Sequence, residues 1–477
     1  MDYFGEIVQK GKIRYYYEVM CQIMRKKSFF IYLIMLGLEL VLLILVARHA
    51  GWSINPYMTG FDTIEYSTIA RNLIENHAFS KSSIAPFIPN FFRSPGYPFW
   101  LAFIYLIFGS FKPAIFLGII IFAFSAPLIY LIMREVFSEK LALWTGIIFA
   151  LEPRMAFSAP FLLSEQIFMP LFLLAVFSAI KFFNNPQKKK YILLSAVLLG
   201  VSTLIRGISL YLWPILAIFF FIKLYKTRPL LEILKILGLA TIILILVMSP
   251  WLIRNRLTLG TWQSSSLFGV QLYWGFLENL EGYLSGSREL VHQKLVSHAN
   301  YLVGDNFETP QAISILANSA LTEIKSNWRA SIKVYVSNLA SFFIIDGYKG
   351  IASYVVDIKP NYIKFSDFIM KGQFKEALSH LKNLSFLEII IPIFGRALWA
   401  ILTFLGFIGI FLSIKKMPQQ RPILILFSIL IFYFAILTGS VVAMDPRFRM
   451  PINGFLFAFA LVSIFHIFKI NFKAKEY

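Results

Sequence analysis

An all-helical integral membrane protein of about ten spans is the fold this sequence predicts, and three observations predict it. Hydrophobic residues make up 58% of the 477-residue chain and charged residues only 15%, against about 25% charged in an ordinary soluble chain. The mean hydropathy is +0.69. Apolar runs near 20 residues long recur, each sufficient to cross a hydrocarbon layer about 30 Å thick.

In chain order the expected spans are 28–48, 113–133, 141–158, 160–182, 190–206, 208–225, 231–251, 388–413, 421–442 and 450–470. The apolar run 29–47 is too long for the core of a cleavable signal, so it reads as an uncleaved first span. Residues 96–108 are also apolar, and the basic residues decide their placement. Arg25, Lys26 and Lys27 put the N-terminus inside. With 96–108 lying along the outer surface, the basic loops 134–140, 181–190, 223–235 and 415–421 also fall inside, with the tail carrying Lys469, Lys473 and Lys475. Letting 96–108 cross would move all of these loops outside, against the positive-inside bias. Ten spans with both termini cytoplasmic are therefore expected.

The organisation that follows is a cytoplasmic N-terminus (1–27) and a transmembrane module (28–251) with an outer loop (49–112). An outer-side region (252–387) and a C-terminal set of spans with a cytoplasmic tail (388–477) complete it. Within 252–387, Ile313, Leu316, Ala317, Ala320, Leu321, Ile324, Trp328, Ile332, Tyr335, Val336 and Leu339 recur mostly at spacings of three and four. That spacing predicts an amphipathic helix, lying on the membrane or closing over the module.

The formal charge of +20 does not imply nucleic acid. Much of it flanks apolar runs, and no zinc spacing or RNA-binding signature is present. Cys21 is the single cysteine, which excludes a disulfide framework or Cys-based metal site within the chain. No Walker loop or nucleotide-binding Rossmann fingerprint appears. Glu39 falls midway along the first span, where an ionisable group requires a partner, protonation or a function.

Seven arginines break the basic-residue rule. Arg93, Arg154, Arg206, Arg254, Arg256, Arg447 and Arg449 all fall on the outer side, where topology gives no reason for them. Each suits a carboxylate or lipid-headgroup partner. Several on one surface also suit a bound anion, since a planar guanidinium grips phosphate oxygens in pairs.

The most specific segment is Gly60-Phe-Asp-Thr-Ile-Glu-Tyr-Ser-Thr-Ile-Ala-Arg-Asn-Leu73. On a helix, Asp62 and Tyr66 share a face and Glu65 stands about one turn from Asp62. Those acids equally suit helix capping, with Asp62 as the cap and Glu65 closing a box. The stretch resembles the first-loop signature of GT-C glycosyltransferases, especially the RgtA/B/C/D-like group, which is similar to protein O-mannosyltransferases and aminoarabinose transferases. Thr63 departs from the pattern, which more commonly has Glu after the Asp. Further stretches resemble the family in its own order: Arg93-Ser-Pro-Gly-Tyr-Pro98, Leu163-Ser-Glu165, Leu204-Ile-Arg206, Pro250-Trp-Leu-Ile-Arg-Asn255 and Arg447-Phe-Arg-Met-Pro451. The resemblance covers about 30–255 and returns near the C-terminus.

The resemblance implies a GT-C helical bundle with outer juxtamembrane helices. It implies inverting transfer of a sugar from a polyprenyl-phosphate or diphosphate donor to a lipid, glycan or protein acceptor on the non-cytoplasmic face. It assigns Asp62 as the base and Arg93 to the donor phosphate, with Arg206, Arg254 and Arg447 as further phosphate-binding candidates. Tyr66, Glu65 and Glu165 fall at the sugar or acceptor site. No cofactor is expected, and no metal-ligand spacing is visible, so the transfer is expected to be metal-independent. The implied location is a bacterial cytoplasmic membrane. A transporter or flippase of lipid-linked sugars would use the same arginines, but would place polar groups near the membrane midplane. A non-catalytic binder of the same lipids is the other alternative, favoured by Thr63.

Overall fold

The structure, a computed structural model, describes residues 26–50, 61–158, 161–285, 288–304, 307, 309–356, 358, 374–381, 384–440 and 445–473. Cys21, Arg25, Gly60 and Lys475 lie outside the described residues. Among those residues the regular structure is helical, and β-pairing is limited to one isolated bridge between Phe137 and Lys473.

Eight helical segments are long and apolar enough to cross a membrane: Lys26–His49, Lys112–Arg134, Glu165–Asn184, Gly207–Tyr225, Leu230–Leu259, Phe386–Lys416, Pro418–Gly439 and Met450–Ile467. The other two expected spans are shorter. Residues 141–158 form Glu139–Leu151 and then the six-residue helix Pro153–Ser158. The break falls at Glu152, whose ψ of 119° leaves the helical region and whose carboxylate accepts the Met155 N–H at 2.9 Å. Residues 190–206 form the 16-residue helix Lys190–Ile205, about 24 Å long. The helix Gly96–Phe108 has 13 residues, about 20 Å, and is too short to cross a full hydrocarbon layer.

Side-chain contacts show that the ten elements alternate in direction. At one end Lys27 pairs with Glu139, Lys181 with Glu135, and Arg228 donates to the Pro186 carbonyl. Lys416 meets His466 and Ser138 donates to the Asn471 carbonyl at the same end. At the other end Arg154 pairs with Asp445 and Arg206 with Glu165. The lysine-rich turns are thus gathered opposite the arginine cluster.

Local chemistry sets several helix ends. The Ser138 hydroxyl accepts the Leu141 N–H, Ser385 and Glu388 form a reciprocal capping box, and Gly260 ends the Leu230–Leu259 helix at φ 72°. The tightest packing joins Phe386–Lys416 to Met450–Ile467. A methyl group on Gly409 would overlap the Phe459 carbonyl oxygen, and one on Gly406 would crowd Leu456, so glycine permits the close approach. Glu39 is fully buried in the bundle, and neither of its carboxyl oxygens has a hydrogen-bond partner among the described residues.

The region 252–387 departs from one expectation. The single amphipathic helix expected across 313–339 is two helices, Pro310–Ser326 and Trp328–Ile344, broken at Asn327 with φ −108° and ψ 37°. Asn327 supports the break by donating its side-chain N–H to the Glu323 carbonyl at 3.2 Å. Leu316, Ala320 and Val334 pack with Leu272, Tyr273, Phe276, Leu280 and Leu295 in a small core separate from that of the bundle.

Candidate active site

Asp62, Glu65 and Tyr66 stand on the first turns of the helix Phe61–Glu75. The two carboxylates reach away from their own helix. Asp62 Oδ1 accepts Arg93 Nη2 at 2.6 Å, and Asp62 Oδ2 lies 2.7 Å from Arg447 Nη1. Glu65 Oε2 accepts Arg93 Nε at 2.6 Å, and its other oxygen meets Lys81 at 3.2 Å. The spacing that suggested a capping box therefore serves a tertiary ion network.

The loop after this helix is braced to hold Arg93. Asn72 donates to the carbonyls of Ser80 at 2.7 Å and Ser82 at 2.9 Å. The Asn90 side-chain oxygen accepts the Arg93 N–H at 2.9 Å. The guanidinium lies over Tyr66 at 5.0 Å and Phe92 at 4.5 Å, which suits a cation–π contact. Gly96 lets the next helix begin against Leu204, since a methyl there would lie 2.9 Å from the Leu204 carbonyl oxygen.

Two further turns close the network. The helix Lys190–Ile205 ends as Arg206 turns to extended backbone. Its guanidinium then pairs with Glu165 and donates to Ser164 Oγ at 3.3 Å. In the turn before the last span, Asp445 accepts the Arg447 N–H at 2.9 Å, holds Arg447 Nε at 3.2 Å and pairs with Arg154 at 2.8 Å. Arg447 Nε is also 4.0 Å from Glu165 Oε1. One connected chain therefore runs from Glu65 through Arg93, Asp62 and Arg447 to Asp445 and Glu165.

Asp62, Tyr66, Arg93, Arg206 and Arg447 line a cavity of about 220 Å³, completed by Phe92, Tyr211, Phe268 and Gln271. Asp62 is the one carboxylate among its described lining residues. Burial works against the charged form of Asp62, but the Arg447 and Arg93 guanidiniums outweigh it and hold the carboxyl well below the usual carboxylate range. Burial likewise opposes the charge on Asp445, and Arg154 and Arg447 outweigh it and lower its pKa. Burial disfavours the charged forms of Arg93 and Arg447 as well, yet neighbouring groups, carboxylates foremost at Arg447, raise both.

Glu65 and Glu165 lie one residue back from the cavity, each through an arginine. Arg254 stands apart. It belongs to a larger groove of about 600 Å³ lined by Phe79, Phe99, Leu204, Trp251 and Arg254. Its guanidinium donates to the Asn90 carbonyl at 3.2 Å and to Asn255 Oδ1 at 2.9 Å, and lies 4.7 Å from the Trp251 ring centroid. No carboxylate pairs with it among the described residues. The stretches 92–96 and 204–206 are shared between the two: Phe92, Arg93, Ser94, Ile205 and Arg206 line the cavity, and Pro95, Gly96 and Leu204 line the groove.

The sequence reading did not single out Asp445. An acidic residue before Pro446 reads as an ordinary turn, and only its position two residues before Arg447 gave a signal. Arg154 was noted as an outer arginine without a role. Among the described residues no three His, Cys, Asp or Glu side chains are arranged to hold a metal ion.

Residues 92–253 match the sequence model of the family described as dolichyl-phosphate-mannose-protein mannosyltransferase. No curated protein matches the chain. Among solved structures it is similar to the oligosaccharyltransferase AglB from Archaeoglobus fulgidus, in complex with an inhibitory peptide and a dolichol-phosphate. That similarity is 13% identity and a TM-score of 0.46, over 91% of this chain and 51% of that one. It is also similar to ArnT from Cupriavidus metallidurans bound to undecaprenyl phosphate, with 13% identity and a TM-score of 0.39 over 92% of this chain and 78% of that one. The chain spans about half the length of the oligosaccharyltransferase it matches, 51%. The segment that supplies Arg93, Glu165 and Arg206 thus carries the sequence pattern of a mannosyltransferase family, within a helical bundle that has eight segments long and apolar enough to cross a membrane.

Proposed function

We propose that the chain transfers a sugar from a polyprenyl-phosphate or diphosphate donor to a hydroxyl of a lipid, glycan or protein acceptor, with Asp62 as the base. The observation that carries this reading is the cavity itself. A single ionised carboxylate stands at its wall between two guanidiniums, at the end of the bundle opposite the lysine-rich turns. By the positive-inside bias that end faces away from the cytoplasm, where lipid-linked rather than nucleotide-linked sugars are the available donors.

In this reading the acceptor oxygen attacks the anomeric carbon, its proton passes to Asp62, and the bond from that carbon to the phosphate oxygen breaks. The electron pair leaves with the lipid phosphate, whose growing charge faces Arg93 and Arg447. An aspartate held by two arginines is a weak base. The donor resolves this difficulty, because its phosphate competes for the same guanidiniums and frees Asp62 as it binds. The neighbouring Arg254 groove, largely apolar and with one cation that has no carboxylate partner among the described residues, suits the isoprenoid chain of that donor.

Mass spectrometry of polyprenyl-linked sugars tests the reading in deletion cells carrying either the wild-type protein or Asp62→Asn. Accumulation of one lipid-linked sugar with the variant, and its clearance by the wild type, is expected. Matching lipid pools at equal protein levels would remove Asp62 as the base and favour transport or simple binding of such lipids.

A further inference from the structure

We propose that the helix Trp328–Ile344 is a binding element for anionic phospholipid in the leaflet at the active-site end of the bundle. The inference stands on this helix alone and does not depend on the reaction proposed above. Ser331, Val334, Asn338 and Phe342 form its buried face. Asn338 donates to the carbonyl of Gly439 at 3.2 Å, and Tyr335 to that of Ile436 at 3.4 Å. The helix therefore packs against the Ile436–Gly439 end of the span Pro418–Gly439.

Two rows of side chains remain uncovered. Trp328, Ile332 and Val336 repeat every four residues and are 56%, 54% and 56% exposed. They flank the buried face on the side of Tyr335. Tyr335 reaches the span at Ile436, which with Phe432 and Ile429 belongs to its exposed apolar surface. The uncovered apolar row thus continues the lipid-facing surface of the bundle. Next around the helix come Arg329 and Lys333, both exposed. Neither has a carboxylate partner among the described residues, and Arg329 lies over the Trp328 ring at 5.3 Å.

An apolar row in the acyl boundary with a basic row beside it is the arrangement of an interfacial helix on an anionic surface. Charge complementarity selects the occupant. A neutral headgroup gives these two cations nothing to pair with, whereas a lipid phosphodiester with net negative charge does. Each basic residue near such a surface contributes about five-fold in affinity, equivalent to about 1 kcal/mol.

The test uses the full chain in nanodiscs, with Cys21→Ser removing the single native cysteine and Ile332→Cys carrying a fluorophore. Spin-labelled phosphatidylglycerol and spin-labelled phosphatidylcholine serve as quenchers of that label. Both lipids are expected to quench, phosphatidylglycerol more strongly. Arg329→Gln with Lys333→Gln is expected to reduce that preference roughly 30-fold at low salt, and Arg329→Lys to retain it. Quenching by neither lipid would overturn the proposal and assign the face to another protein chain. Equal quenching by both would overturn the anionic preference. The side chains substituted at 329, 332 and 333 are exposed, and an unchanged melting temperature confirms that each variant is folded.

Discussion

Asp62→Asn separates catalysis from binding in a way that a structural role for Asp62 does not. The substitution keeps the side-chain volume and one oxygen, so the hydrogen bond from Arg93, now 2.6 Å, or that from Arg447, now 2.7 Å, survives in weakened form. Loss of a positioned general base costs roughly 10²–10⁴ in turnover. Donor affinity moves the other way. In the wild type an arriving phosphate displaces a carboxylate from two charge-assisted hydrogen bonds, each contributing about 1.5–3 kcal/mol. Asp62 is 26% exposed, and the carboxylates of Glu65 and Asp445 remain on the same arginines, so screening leaves a net gain on the order of 1.4 kcal/mol, or ten-fold. Single-turnover transfer and calorimetric binding of the lipid phosphate, both in nanodiscs, give the two quantities. Turnover within a few-fold of wild type, or a ten-fold loss of lipid-phosphate affinity in a protein of unchanged melting temperature, refutes the reasoning.

Other perturbations probe the supports of the site. Arg449 is buried against Trp399 and donates to the carbonyls of Phe342 at 2.6 Å and Ile345 at 2.8 Å. Arg449→Met strands two buried acceptors and is expected to lower stability by about 2–4 kcal/mol, read as a fall in melting temperature. Asp62 and Asp445 have depressed pKa values, so their stabilisation is complete above the unfolded value of about 3.9 and is lost as pH falls through the folded one. Melting temperature is thus expected to be indifferent to these two groups between about pH 5 and 8, and to fall less steeply in acid for Asp62→Asn or Asp445→Asn than for wild type. A chelator such as EDTA is expected to leave turnover unchanged, measured as transferred sugar with and without added divalent metal.

Much of this arrangement was legible in the sequence, and the remainder was hidden for physical reasons. Hydropathy and basic loops gave the alternation of ten elements, because both depend on depth in the membrane. Depth also grouped Arg93, Arg206, Arg254 and Arg447 at one end, but depth carries no azimuth. Arg254 faces Trp251 and Phe79 instead of Asp62 for that reason. Span lengths were overestimated where polar residues end a helix early. The carboxylate of Glu152, accepting Met155 N–H, stops one apolar run at Leu151, and Arg206 turns out of its helix towards Glu165. The break at Asn327 escaped notice because hydrophobic spacing continues across it.

The site is close to electrical balance, with Lys81, Arg93, Arg154, Arg206 and Arg447 facing Asp62, Glu65, Glu165 and Asp445. Unpaired charges at the mouth of a bundle would each carry a desolvation cost, and mutual pairing removes most of it. The same pairing makes the acids non-equivalent. Glu65, Glu165 and Asp445 hold their arginines from outside the lined cavity, whereas Asp62 occupies the cavity wall where a ligand anion must arrive. A phosphate entering there competes with Asp62 for Arg93 Nη2 and Arg447 Nη1, whereas Glu65 and Asp445 hold the Nε of the same arginines from outside the cavity. Once displaced, Asp62 loses the two cations that depress its pKa and becomes a stronger base at the moment the donor is seated. In the proposed transfer this competition orders the events: lipid phosphate binds first, and the acceptor hydroxyl meets a competent base only afterwards. An acceptor bound alone faces a carboxylate still held by both guanidiniums, which protects the site from idle proton transfer.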